Sequence, residues 1–265
     1  RFAGMGFKVA PETLQLMRDM TAAGELQHLV AERIWREFEL ALLSEAPQVF
    51  ISTLRECGAL RVILPEVDNL FGVPQPPEHH PEVDTGIHTL LCLEQAVRLS
   101  TDPVVRYAVL VHDVGKGVTR REDWPRHYGH ETLGLPLLDA IARRLRVPRE
   151  HADIARLVCE HHTKMHRIAH LRPATLLSLL EALDAFRRPQ RVEQFLLACE
   201  ADARGRTGFE QRDYPQGALL RKTQAAANGV NVGELLAQRS HAPKDIGAFA
   251  RRARIAAIKS VLEPV

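Results

Sequence analysis

The segment Val109-Leu110-Val111-His112-Asp113-Val114-Gly115-Lys116 places a histidine and an aspartate side by side at the end of an apolar stretch. An imidazole nitrogen and a carboxylate oxygen together suit divalent transition metals or Mg²⁺. Gly115 can end a helix directly after this pair. Adjacent side chains diverge by roughly 100° on a helix, but at its end both can reach one ion. The pair therefore predicts a metal site, provided that other ligands reach it.

The composition favours a helical protein. Hydrophobic residues make up 45% of the 265 residues and aromatic residues only 5%, and the apolar residues are mostly Leu, Ala and Val, which favour helix over strand. The formal net charge is +2, so the chain is not basic overall, although its positive charge is mostly arginine. No apolar run reaches membrane-spanning length and no signal peptide is found, which predicts a cytoplasmic protein without a membrane partner.

The four cysteines, Cys57, Cys92, Cys159 and Cys199, form no C-x-x-C pair. Three of them lie within apolar helical patterns. We therefore expect buried free thiols in a reducing compartment rather than a disulfide framework.

Apolar residues recur at helical spacing, and no segment shows sustained period-two alternation, so the sequence predicts an all-α fold. The predicted helices cover about residues 9–23, 30–43, 85–99, 103–114, 130–145, 148–162, 173–186, 190–204, 218–228 and 245–262. Prolines interrupt the segment 65–84, and glycines interrupt 205–218, so we expect a boundary in each. This divides the chain into residues 1–84, 85–205 and 206–265.

Three ligand-capable side chains, His130, His161 and Asp202, occupy the core-facing positions of otherwise apolar helical faces. A carboxylate buried alone is costly, and an ion shared by several such residues removes that cost. His88, near the start of another predicted helix, adds a further nitrogen. A lone histidine on an apolar face is usually a hydrogen-bonded core residue, and this alternative stays open for His130 and His161.

Three further histidines are expected outside the set of ligands. His162 is expected to project away from the apolar stripe, to the surface or to an outer layer around the ion. His79 and His80 fall in the proline-rich segment and are expected to be surface residues of a loop.

The order His88, His112-Asp113, Asp202 on a helical chain resembles the HD superfamily of metal-dependent phosphohydrolases, with Lys116 at the position of a lysine found in many members. The resemblance implies that these four residues hold one divalent ion: Ni²⁺ or Mg²⁺, with Mn²⁺ or Co²⁺ as further possibilities. Such an ion lowers the pKa of a bound water and polarises a phosphoryl oxygen. Lys116 would face the substrate phosphate. His130 and His161 would transfer protons or, as the less favoured alternative, bind a second ion.

A closer resemblance covers nearly the whole chain and points to bacterial CCA-adding tRNA nucleotidyltransferases that carry an HD domain. The segments that carry it are FKVAPETL at 7–14, LRVILPE at 60–66, HPEVDTGIH at 80–88, WPRHYGHE at 124–131 and ACEADARGR at 198–206. It implies a helical neck and RNA-binding body at 1–84, an HD phosphohydrolase domain at 85–205 and a helical tail at 206–265. The chain starts without Met, and the Asp-x-Asp of a polymerase-type head is absent from the sequence, so we expect a fragment that lacks the head.

The resemblance also implies substrates and partners. Family members with an intact HD domain act as 2′,3′-cyclic phosphodiesterases, 2′-nucleotidases and phosphatases, and the implied partners are tRNA and phosphorylated or 2′,3′-cyclic RNA ends. The implied RNA-binding residues are Arg204, Arg206, Arg212, Arg251, Arg252 and Arg254. Phosphate contacts of this kind are independent of base sequence and sensitive to salt. A solvated basic helix face remains an alternative for each arginine.

Two other functions and two oligomeric states stay open from the sequence. The chain could be a non-catalytic tRNA-binding scaffold for the absent head, or an HD-type phosphohydrolase that acts on free nucleotides. Both a monomer and a homodimer are compatible with the apolar segments at 170–200.

Overall fold

The computed structural model describes residues 3–237 and 244–262, and the regular secondary structure within these ranges is helical. The all-α prediction is confirmed. One isolated antiparallel bridge, between Pro74 and Asp84, closes the proline-rich loop. The first two residues, residues 238–243 of the predicted tail and the last three residues lie outside the described part.

The helices follow one another with short connections. The α-helices of the described residues are α1 (Pro11–Ala22), α2 (Ala31–Leu42), α3 (Pro47–Glu56), α4 (Ala59–Ile63), α5 (Pro65–Asp68), α6 (Thr85–Leu99), α7 (Pro103–Val111), α8 (His130–Leu145), α9 (Arg149–His166), α10 (Pro173–Ala182), α11 (Gln190–Arg204), α12 (Pro215–Asn228), α13 (Val232–Ala237) and α14 (Ile246–Leu262). The predicted helices 85–99, 130–145 and 190–204 match α6, α8 and α11 at both ends.

The chain forms two compact units. The first consists of the described residues up to His162 together with Leu197–Arg212, and the second of Thr163–Leu196 together with the described residues from Asp213 onward. Both units are discontinuous in sequence because α9 and α11 are each divided between them. The three regions drawn from composition, 1–84, 85–205 and 206–265, stay a prediction.

In the first unit, α6 and α7 pack against each other and start at aspartate caps. The carboxylate of Asp84 accepts from the N–H of Ile87 at 2.9 Å, and that of Asp102 accepts from the N–H of Val104 at 2.8 Å. Such caps satisfy N–H groups that have no partner within the helix. Every residue from Val104 to Val111 is buried, so the end of α7 lies inside the core.

A buried arginine joins three chain segments of this unit. The guanidinium of Arg106 donates to the carbonyls of Leu42 at 2.6 Å, Ser44 at 2.9 Å and Ser100 at 2.8 Å. Carbonyls at helix ends lack partners within the helix, and a buried guanidinium needs acceptors. Arg106 therefore ties the end of α2 and the end of α6 to α7.

In the second unit, α12 and α10 both pack against α14. Leu176, Leu220 and Ile258 are fully buried in its core. No helix of the described ranges in either unit combines the length and apolar character needed to cross a membrane.

Candidate metal centre

His112 and Asp113 lie together at the buried end of α7. Nε2 of His112 is 3.2 Å from Oδ2 of Asp113, while Nδ1 of the same ring is 2.7 Å from the carbonyl of Val109. A carbonyl only accepts, so Nδ1 carries a proton, and in the neutral ring Nε2 presents a lone pair to the carboxylate. Among the described residues, neither Nε2 nor the oxygens of Asp113 have a partner in hydrogen-bond geometry, although the ammonium of Lys116 forms an ion pair with Oδ2 at 2.6 Å. Two facing acceptors repel each other unless a cation lies between them.

His88 and Asp202 complete the predicted set at the same place. Nε2 of His88 is 3.1 Å from Oδ1 of Asp202, and Nε2 of His112 is 3.8 Å from the same oxygen. Nδ1 of His88 donates to the carbonyl of Gly205 at 3.0 Å. One potential ligand atom comes from each of His88, Cys92, His112 and Asp202, and these four atoms all lie within 4.8 Å of one another.

Two more imidazoles face Asp113 from α8 and α9. Nε2 of His130 and Nε2 of His162 are each 3.5 Å from Oδ1 of Asp113 and 3.4 Å from each other. Their Nδ1 atoms are directed at backbone carbonyls, that of His127 at 2.9 Å and that of Val158 at 3.0 Å. Both rings therefore direct Nε2 at the carboxylate.

The donors fit a divalent cation. Each of His88, His112, His130 and His162 is buried and has its Nδ1 at a carbonyl, an arrangement that fixes the tautomer and ring orientation of metal ligands. Imidazole nitrogens with carboxylate oxygens match borderline ions such as Ni²⁺, Co²⁺ or Mn²⁺, and carboxylates also suit Mg²⁺. Burial raises the pKa of Cys92, so its sulfur stays protonated and is the weaker donor.

The pKa values of His88 and Asp113 reflect the charged and polar groups around each of them. Burial lowers the pKa of His88, but Cys92 and Asp202 outweigh it, and the pKa lies well above the ordinary value. Burial raises the pKa of Asp113, but electrostatic attraction and hydrogen bonding to its neighbours, the ammonium of Lys116 among them, hold it well below the usual range. The same field that keeps a proton on His88 favours a divalent cation.

The pKa values of His130 and His162 are shifted in opposite directions, although both rings face Asp113. The pKa of His130 is lowered to about 4, mainly by burial. The attraction of Asp113 only partly opposes this effect, and repulsion from Lys116 and His162 adds to it. Burial also lowers the pKa of His162, but hydrogen bonding and attraction to Asp113 raise it above the ordinary value. His130 is therefore neutral near pH 7, with Nε2 able to accept a proton.

Lys116 is held at the edge of the donors by two contacts. Its ammonium is 2.6 Å from Oδ2 of Asp113 and donates to Oε1 of Gln75 at 2.6 Å. Gly115 allows this turn to approach α8, since a Cβ at Gly115 would overlap the carbonyl oxygen of His130. The buried Gln75 comes from the proline-rich loop and was missed by the sequence patterns.

The expected surface position is wrong for His80, and for His162 the surface alternative is wrong. His80 is buried, with its ring 4.7 Å from that of His88 and Nδ1 3.0 Å from Oε1 of Glu82, because the loop folds back onto α6. Desolvation lowers the pKa of His80 to about 4, against the hydrogen bond to Glu82. His162 is 3% exposed and therefore not a surface residue, while its place in an outer layer around the ion stays a prediction.

His79 and His161 complete the account of the histidines. His79 is exposed, as expected. His161 is buried, as its stripe predicted, and its Nε2 is 3.9 Å from Oε1 of Glu160. Among the described residues, the donor groups around Asp113 include His162 and not His161. On α9 it is therefore the ring of His162, the residue after His161, that faces Asp113.

The six arginines predicted to bind RNA are divided between the two units. Arg204 pairs with Glu200 at 2.8 Å, Arg206 lies 4.0 Å from Oδ1 of Asp202, and Arg212 stacks on Phe209. In the second unit, Arg251 pairs with Glu181 at 3.2 Å, Arg254 stacks on Phe186 and Arg252 is exposed. Arg206 is thus the one of the six whose guanidinium borders the donors.

Comparison with known proteins gives two family matches. The HD domain family matches residues 85–194, a range that contains His88, His112 and Asp113 but ends before Asp202. A family described as "Probable RNA and SrmB- binding site of polymerase A" matches residues 6–71.

The matches to individual relatives cover this chain almost from end to end. A multifunctional CCA protein of Pseudomonas paraeruginosa is 54% identical over 263 residues, and one of Pseudomonas aeruginosa is 52% identical over the same length. A third, from Pseudomonas syringae, is 52% identical over 260 residues. The first two matches cover 99% of this chain, which spans 64% of the relatives' length.

Proposed function

The chain is homologous over 99% of its length to multifunctional CCA proteins and contains an HD domain, and from this premise we propose that it is a metal-dependent phosphohydrolase. The observation that carries the proposal is the contact between His112 and Asp113. Nε2 of His112 faces a buried carboxylate at 3.2 Å, and among the described residues these atoms have no partner in hydrogen-bond geometry, apart from the ion pair of Oδ2 with Lys116. A divalent ion at this position turns a repulsive contact into coordination.

In this proposal the ligands are His88, His112, Asp113 and Asp202, with His162 as an additional donor beside Asp113. When bound, a divalent ion supplies an activated water and polarises a phosphoryl oxygen. The Nδ1 atoms of the buried imidazoles point at backbone carbonyls, so the rings need not turn for Nε2 to bind, and a proton held at Nε2 would be released when the ion binds.

The other side chains handle the phosphate and the proton. The ammonium of Lys116 binds a phosphate oxygen, since it lies at the donors with a fixed position on Gln75. Nε2 of His130 accepts a proton, which its neutral state near pH 7 permits. His161 precedes His162 in the chain, and we propose that it transfers protons from outside the set of ligands.

The proposed substrates are phosphorylated or 2′,3′-cyclic RNA ends, which fits a role in tRNA 3′-end processing or repair in the cytoplasm. The match of residues 6–71 to an RNA-binding family supports tRNA as the partner. The relatives are named multifunctional CCA proteins, and we propose that this chain contributes to CCA addition together with a nucleotidyltransferase head. The sequence prediction of Arg251, Arg252 and Arg254 as phosphate contacts stands as part of this proposal, with Arg252 the exposed member.

A substrate panel tests the proposal. The metal-loaded chain is incubated with 2′,3′-cAMP, 2′-AMP, a dNTP and p-nitrophenyl phosphate, and His112→Ala is compared with His28→Ala, which changes an exposed histidine. We expect hydrolysis of the first two compounds, its loss in His112→Ala and its retention in His28→Ala. Preference for the dNTP would favour a free-nucleotide hydrolase. No turnover of any compound despite bound metal would favour the tRNA-binding scaffold.

A further inference from the structure

Arg206 follows α11, and the backbone on both sides of it is fixed at the donors. The carbonyl of Gly205 accepts from Nδ1 of His88 at 3.0 Å, and the N–H of Thr207 donates to Oε2 of Glu82 at 3.3 Å. These two contacts leave the intervening residue little freedom. The direction in which Arg206 leaves the backbone is therefore set by the same residues that position His88.

The guanidinium of Arg206 borders the candidate ligands but forms no hydrogen bond with Asp202. Nη2 is 4.0 Å from Oδ1 of Asp202, beyond hydrogen-bond distance, and Nε is buried without a hydrogen-bond partner in the described part of the chain. Arg204, two residues earlier, contrasts with it: its Nη2 is 2.8 Å from Glu200, and its Nε donates to the carbonyl of Arg212 at 3.0 Å.

A guanidinium with available donors beside a carboxylate-rich centre is suited to an anion that approaches the same centre. Its planar arrangement of N–H groups matches two oxygens of a phosphate. A divalent ion held partly by Asp202 would leave the other phosphoryl oxygens for such a group. Lys116, beside Asp113, provides a second positive charge at the other carboxylate.

We propose that Arg206 binds the phosphate group of the substrate at the candidate metal centre, whether that phosphate is a monoester or a cyclic diester. The inference rests on the proposed function and deepens it. It assigns Arg206 to recognition of the scissile phosphate, in place of the general tRNA contact that its position in the predicted tail suggested. The phosphate lies between the guanidinium and the ligands, so Arg206 is a substrate-binding residue.

The test is binding of inorganic phosphate to the metal-loaded full chain, measured by calorimetry. Arg206→Met should weaken phosphate binding by about 10-fold or more, as expected for loss of hydrogen bonds to a charged group, with metal content unchanged. Arg206→Lys should recover part of the affinity. Arg143→Met, a change of an exposed arginine on α8, is the matched control and should bind phosphate like the parent.

Equal phosphate affinity in the parent and in Arg206→Met would overturn the inference, and so would loss of metal from Arg206→Met, since the residue would then only support the ligands. The readout does not depend on turnover. If phosphate binding requires Arg206 but no ester in the substrate panel is hydrolysed, the anion site stands and the proposed phosphohydrolase function fails.

Discussion

Oε1 of Glu82 lies 3.0 Å from Nδ1 of His88, on the far side of the imidazole from Asp202. The same oxygen is 3.0 Å from Nδ1 of His80. Burial raises the pKa of Glu82, but hydrogen bonding to His80 and His88 holds it below its usual range. Glu82 is thus a buried negative charge that orients a candidate ligand from behind, as carboxylates commonly do for metal-bound histidines.

Glu82→Gln should therefore weaken metal binding. The amide keeps the shape of the side chain but removes the charge that increases the basicity of His88, and an effect of about 10- to 100-fold on affinity is expected. Competition with a coloured chelator measures it. Glu78→Gln, a change of an exposed glutamate in the same loop, should have no effect. Equal affinities of Glu82→Gln and the parent would show that the contact does not support the ligand.

Gln75→Leu should impair catalysis without loss of metal. The substitution removes the acceptor that holds the ammonium of Lys116 at 2.6 Å, and a hydrogen bond to a charged group of this kind corresponds to about a 10-fold or larger loss in kcat/KM. Gln75→Glu keeps an acceptor oxygen and should recover activity. Unchanged kcat/KM for a 2′,3′-cyclic nucleotide in Gln75→Leu would remove Gln75 from the positioning of Lys116.

Gly205→Ala should separate the ligands of α6 from those of α11. A Cβ at Gly205 would overlap Sγ of Cys92 and lie 2.5 Å from its Cα, so the two segments must move apart. Overpacking of this kind costs about 1–3 kcal/mol. Urea unfolding and metal affinity should both decline, whereas Gly229→Ala, where the nearest atom is 3.4 Å away, should change neither. Parent-like metal affinity in Gly205→Ala would contradict the close approach.

His151 lies outside the candidate centre and should make the stability of the folded chain depend on pH. Its ring is buried against Trp35 and Tyr107, at centroid distances of 5.1 and 6.0 Å. Desolvation lowers its pKa below 6.5, although Glu39 and other acidic groups oppose this. The unfolded chain therefore binds a proton that the folded chain refuses, so the stability contributed by neutral His151 is present above pH 6.5 and is lost as the pH falls through the lowered pKa.

The comparison with His151→Leu isolates this contribution. The free energy of unfolding in urea should fall less steeply in the variant than in the parent as the pH is lowered from about 8 to about 5, because the variant lacks the group that titrates. Parallel curves for the two proteins over this range would exclude His151 as a source of the pH dependence.

The sequence predicted the helical elements because their apolar positions are regularly spaced. Periodicity also drew attention to Asp202, a polar residue on an apolar face, whereas His112 and Asp113 were predicted from their adjacency and the set of four, with His88, from the family resemblance. The structure brings these four together, and their role as ligands remains a prediction for experiment.

The contributions of Gln75, His80 and Glu82 could not be predicted in this way. They lie in a loop whose path depends on local backbone features, including the bridge between Pro74 and Asp84 and the positive φ of 61° at Val83. Prolines mark such a loop as irregular but do not indicate which residues turn inward.

His162 was misplaced for a different reason. Adjacent residues on a helix differ in direction by roughly 100°, and the apolar stripe of α9 ends at His161 in the sequence pattern. Both rings are buried, so the helix is enclosed on a wider face than the stripe suggested. Helical periodicity predicts which side of a helix is inward, but not which of two neighbouring histidines meets a particular carboxylate.

The most direct test of the central claim is thermal unfolding of the chain and of Asp113→Asn, each with and without a divalent ion. An ion that binds the folded state stabilises it by mass action, by about 2.7 kcal/mol at 100 times the dissociation constant. Asp113→Asn preserves shape but removes the buried charge at the centre of the donors. We predict that Ni²⁺, Mn²⁺ or Mg²⁺ raises the Tm of the parent and leaves the Tm of Asp113→Asn unchanged. An equal rise in both proteins, or none in the parent with any of the ions, would contradict a metal centre built around Asp113.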